Sequence, residues 1–129
     1  MVEYYGWVKL CQSIDGEDEE NIGAISEMVK NQLKKIDFPE RILILQALNG
    51  SYILNVSGHT NHMSDDVYEM FDLFKFIGKN AVGSYGLLYF KNDEDTEAPN
   101  TFKVWRLSKG ELKEFKDTLL SPCNPTIES

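Results

Sequence analysis

Apolar residues alternate over the first dozen positions. Val2, Tyr4, Val8 and Leu10 share one parity, while Tyr5 and Trp7 take the other. A period of two predicts a strand over 2–12 with the first set on one face. The face carrying Tyr5 and Trp7 is then partly covered or is itself a contact surface. Gly6 in mid-strand marks a bulge or a close neighbour. The period then changes. Ile22, Ile25, Val29, Leu33 and Ile36 recur at spacings of three and four, which predicts an amphipathic helix over 19–36. Lys30, Lys34 and Lys35 suit its C-terminal end, and Pro39 blocks its continuation.

Period two returns at 42–48 and 51–57, joined by Asn49-Gly50, the type I′ hairpin signal. That turn sets Leu48 opposite Ser51, Ala47 opposite Tyr52, Leu45 opposite Leu54 and Leu43 opposite Val56. Their face is apolar and should meet the helices. The opposite face mixes Ile42, Ile44, Gln46, Ile53 and Asn55. Ser64 is a good N-cap, with Asp65 and Asp66 in the first turn of a second helix. Val67, Met70, Phe71, Phe74 and Ile77 form its stripe, and Gly78 is a natural stop. Two more strands are predicted at 82–91 and 101–108, with a short turn at 111–115 and a proline-containing tail after it.

The order β-α-β-β-α-β-β predicts an α+β fold, a mostly antiparallel five-stranded sheet with two helices packed on one face. No repeat or linker interrupts 1–129, so one domain is expected. If the crossovers are right-handed, the Asp15–Glu20 loop and the Asn49-Gly50 turn share one end of the sheet. The His59–Asp66 and Asp93–Glu97 loops share the other.

Charge narrows the partners. With 21 acidic against 13 basic residues the net charge is −8. Such a chain repels nucleic acid and attracts a basic protein. No apolar run approaches the ~18 residues of a membrane span, and no basic-then-apolar leader opens the chain. A cytoplasmic protein with Cys11 and Cys123 as thiols is the expectation. Catalysis finds little support. There is no phosphate loop, GxGxxG or GxSxG, and no nucleophile with a base beside it. His59, His62 and the following Asp65 and Asp66 leave open a metal or small-ligand site, although their spacing matches no zinc motif and no cofactor is implied. The acidic runs offer the other chemistry. Asp93, Glu94, Asp95 and Glu97, with Asp65 and Asp66 at the same end, form a surface suited to a basic cleft. Asp15, Glu17, Asp18, Glu19 and Glu20 form a second. Trp7 and Trp105 read as packed rings, with interface anchors as the alternative.

Several segments carry more than statistics: Tyr5-Gly6-Trp7, Gly86-Leu87-Leu88-Tyr89, Val104-Trp105-Arg106-Leu107, Gly110-Glu111-Leu112, and Leu120-Ser121-Pro122-Cys123 through Pro125-Thr126-Ile127-Glu128. Together they resemble the Immunity protein 7 family, antidotes encoded beside bacterial polymorphic toxins. The resemblance implies an α+β protein without enzymatic activity. It implies binding to a cognate toxin, often a nuclease, in the cytoplasm of the producing cell.

Overall fold

The computed structural model describes residues 1–14, 20–36 and 41–121. In chain order the elements are β1 (Val2–Lys9), α1 (Ile22–Lys35), β2 (Arg41–Leu48), β3 (Ser51–Thr60), α2 (Asp65–Asn80), β4 (Tyr85–Asn92), β5 (Lys103–Ser108) and β6 (Glu111–Lys116). The strands form one sheet in the order β2-β3-β1-β4-β5-β6, antiparallel throughout. Both helices lie on one face, so the α+β class read from the sequence holds.

Local chemistry explains the hairpins. Asn49 and Gly50 take φ of 51° and 81°, the left-handed pair that a type I′ turn requires. The resulting register sets Leu48 against Ser51, Ala47 against Tyr52, Leu45 against Leu54 and Leu43 against Val56, as expected. A second such turn, at Lys109 (φ 53°) and Gly110 (φ 79°), sends the chain back as β6. The sheet therefore has six strands instead of the expected five. The short turn expected at 111–115 is a strand because this hairpin reverses the chain onto β5.

The core lies between the sheet and the helices. Val2, Tyr4 and Val8 of β1, Leu54 and Val56 of β3, and Leu88 of β4 are buried against Val29 of α1 and Val67, Met70, Phe74 and Ile77 of α2. Gly6 has a close neighbour and no bulge, since β1 pairs without interruption on both sides. A Cβ on Gly6 would stand 2.6 Å from the Leu87 carbonyl, and one on Gly86 would stand 2.0 Å from the Trp7 carbonyl. The two glycines let the central strands approach.

Arg41 is buried at the start of β2. Its guanidinium donates to the carbonyls of Ile36 and Asp66 and pairs with Glu69 at 3.0 Å. A buried cation needs such partners, and these tie the end of α1 to the beginning of α2.

Other boundaries shift. β1 ends at Lys9 instead of continuing to 12, and β4 begins at Tyr85 instead of 82. α2 runs past Gly78 to Asn80, so Gly78 is not its stop. There a Cβ would lie 2.9 Å from a Leu107 methyl and 3.2 Å from the Gly110 carbonyl, so the glycine admits the β5–β6 turn. Ser64 holds the N-cap position of α2, and its carbonyl accepts from Val67, but its side chain makes no cap bond. Pro39, the acids Asp15, Glu17, Asp18 and Glu19, and the tail from Pro122 onward lie outside the described residues.

Candidate functional site

Two surfaces merit attention, an acidic end of the sheet and its uncovered face. At the acidic end the His59–Asp66 and Asp93–Glu97 loops meet, as the topology implied. His62 Nδ1 contacts Glu94 Oε1, joining the two loops. Asp93 takes the ammonium of Met1. Asp95 accepts the backbone N–H groups of Glu97 (2.9 Å) and Ala98 (3.3 Å) and pairs with Lys103 at 3.1 Å. The Glu97 N–H first, and Lys103 next, hold the Asp95 carboxyl below its ordinary range. The same contact with Asp95 raises Lys103. Three of the four loop acids are thus partnered within the chain. Asp65, Asp66 and Glu97 make no ion pair among the described residues. Glu20 is exposed near the other end of the sheet.

The histidines diverge. His59 Nε2 meets the Tyr5 hydroxyl at 2.7 Å and Glu3 at 3.3 Å, while His62 turns to Glu94. Among the described residues no group of three or more His, Cys, Asp or Glu side chains is placed to hold a metal ion. A nearby cavity of about 280 Å³ is lined by Met63, Tyr68, Phe71, Asp72, Lys75, Phe90 and Trp105, with neither histidine among them.

The uncovered face is built by strand parity. Side chains at even positions of β1 point to the helices, so those at odd positions point away. Register then lines up neighbours across all six strands. One row runs Ile44, Asn55, Trp7, Leu87, Arg106, Lys113, and the next runs Ile42, Ser57, Tyr5, Tyr89, Val104, Phe115. Half of the large apolar side chains exposed among the described residues stand on this face: Tyr5 41%, Trp7 38%, Ile42 55%, Ile44 44%, Leu48 48%, Tyr85 44% and Phe115 36%. Trp7 and Tyr85 meet edge to face at 6.1 Å. Cations lie over the rings, Lys9 on Tyr85, and Arg106 and Lys113 on Phe115. Trp105, by contrast, points to the helices and packs on Phe71 at 5.2 Å.

The edges of the sheet differ as well. From the type I′ turn back along β2, the antiparallel alternation turns the N–H and C=O of Leu43, Leu45 and Ala47 away from β3. Residues 42–48 carry no charge, whereas β6 carries Glu111, Lys113, Glu114 and Lys116. Charges protect an edge from pairing, and the only one in β2 is Arg41 at its start, which is buried.

The family model of Immunity protein 7 matches residues 1–129. The chain belongs to the Immunity protein 7 family. Comparison with curated proteins and with solved structures returns no match. As an immunity protein the chain is a toxin inhibitor. Three of the segments that carry the family likeness, those on β1, β4 and β5, are neighbours in space. Gly6 pairs with Leu88, Trp7 with Leu87, Leu87 with Arg106 and Leu88 with Trp105.

The sequence placed the acidic end correctly but not its internal pairing, which depends on side-chain reach. Parity pointed to Tyr5, Trp7, Ile42 and Ile44. It missed Tyr85, Arg106 and Phe115 as their neighbours, because the strand order that joins them is not written in any one segment.

Proposed function

We propose that residues 1–129 act as one domain in the cytoplasm of the producing bacterium, where they bind and neutralise a cognate polymorphic toxin. The mode is occlusion of the toxin's active site or an adjoining exosite, by binding and without catalysis. The whole-chain match to the immunity family carries this reading. The net charge of −8 supports a basic toxin, such as a nuclease whose cleft attracts phosphates. Asp65, Asp66, Asp93, Glu94, Asp95 and Glu97 supply the field that steers it, with Asp15, Glu17, Asp18, Glu19 and Glu20 second.

The test uses the toxin domain encoded by the adjacent gene. Co-expression is expected to restore growth to cells producing that domain, and calorimetry to give one-to-one binding. Raising salt should slow association markedly, since steering is screened beyond about 8 Å at physiological ionic strength. No rescue and no binding would end the proposal. Binding at a salt-independent rate would remove the steering role from the acids.

A further inference from the structure

Along β1 the open face reads Glu3, Tyr5, Trp7, Lys9, from negative through aromatic to positive. Glu3 is engaged by Lys91 and His59 and stands at the acidic end of the sheet. Beyond the polar Asn55 the same row reaches the exposed Ile44 on the edge strand β2. We infer that the toxin docks on this face, with an apolar patch over Trp7, Tyr85 and Ile44 and with carboxylates opposite Lys9, Arg106 and Lys113. The inference rests on the reading that the partner is a protein toxin, and it names the surface that holds it.

Among the described residues Phe102 packs on Tyr5 and Tyr89 at one side of this face, while Trp7, Tyr85, Ile42 and Ile44 stay exposed. Large apolar side chains exposed together on one face mark an interaction site, and tryptophan, tyrosine and arginine are the residues that anchor interfaces. Charge selects the occupant. The chain is acidic overall, yet Lys9, Arg106 and Lys113 make no ion pair among the described residues and rest on aromatic rings instead. Covering these cations costs free energy unless carboxylates meet them. A second copy placed face to face would bring the same three cations, with Glu111 at one corner as the only unpaired acid among the described residues of this face. A nucleic acid is repelled by the net charge and by the acidic end. A toxin surface with basic groups toward Glu3 and Asp93, an apolar centre, and carboxylates toward Lys9 fits each part and fixes its own orientation.

The probe is the purified, catalytically silenced toxin domain from the adjacent gene. Trp7→Ala and Arg106→Glu are compared with the unaltered protein by surface binding, after melting curves show that both variants fold. Trp7→Ala is expected to weaken binding about 100-fold, mainly through faster dissociation. Arg106→Glu is expected to weaken it about tenfold or more. Hydroxyl-radical footprinting needs no variant and should show Trp7 and Tyr85 shielded in the complex. If the unaltered protein binds while both variants bind within about twofold of it, or if the two rings label equally with and without toxin, this surface is wrong and the toxin reading stands. If the unaltered protein does not bind, both fall. If the variants change sedimentation of the protein alone and leave toxin affinity intact, the face belongs to a second copy and the inference is overturned.

Discussion

Tyr4 and Trp7 are aromatic residues three positions apart on one strand, yet Tyr4 is fully buried beneath the helices while Trp7 is 38% exposed. The same contrast separates Leu54 from Ile44 and Leu88 from Tyr85. On the covered face Tyr4, Leu54 and Leu88 pack in the core with residues of both helices, and their identity follows from that packing. On the open face the similar side chains Trp7, Ile44 and Tyr85 are exposed. Residue type alone therefore does not tell the buried face from the open face in this sheet, whereas parity combined with strand order does.

Substitutions should separate the two faces. The largest effect belongs to the covered side. Phe74→Ala removes a fully buried ring and is expected to cost about 4 kcal/mol, read from urea unfolding. A loss below about 1 kcal/mol would mean that the core is not where the helices place it. Gly86→Ala follows at about 3 kcal/mol, because the new methyl would meet the Trp7 carbonyl at 2.0 Å. If its melting temperature is unchanged, β1 and β4 are not so closely set. Ile44→Thr keeps β-branching on the open face and should change stability by less than about 0.5 kcal/mol while weakening toxin binding. A large stability loss there would erase the contrast between the faces.

Smaller effects sharpen the comparison at the acidic end. Asp65→Asn with Glu97→Gln should slow toxin association a few-fold at low salt and leave the dissociation rate unchanged, with the difference vanishing at high salt. Stopped-flow traces over a salt series decide it. The last effect is the contribution of Asp95. Its folded pKa lies below the ordinary value of 3.8, so the ionised form favours the folded loop. That contribution is complete above pH 3.8 and disappears as pH falls through the depressed value. Asp95→Asn should therefore flatten the acid limb of the stability curve slightly, and an unaltered limb would show that the charge of Asp95 contributes nothing to the folded loop.

Much of the fold was legible because local signals were strong. Asn49-Gly50 fixed a register that the structure reproduces pair by pair, and the stripes of α1 and α2 named their buried sides. β6 was not legible. Four of its six residues are charged, and its two apolar residues, Leu112 and Phe115, fall on opposite faces, so no alternation stands out. The stop assigned to Gly78 failed because a glycine that admits a neighbouring turn looks, in sequence, like one that ends a helix. The candidate site was half legible. Parity exposed Trp7, but its coupling to Tyr85 and Arg106 exists only once β4 and β5 lie beside β1.

The interlock at Gly6 and Gly86 has a consequence for how recognition can change. It fixes the backbone of the central strands from the covered side, with no contribution from the side chains that face outward between them. Tyr5, Trp7, Tyr85 and Leu87 can be exchanged one at a time while the strand register stays the same. If this face holds the toxin, a lineage whose toxin alters its surface can follow it by single substitutions, each judged on the new contact alone, with the scaffold inherited intact.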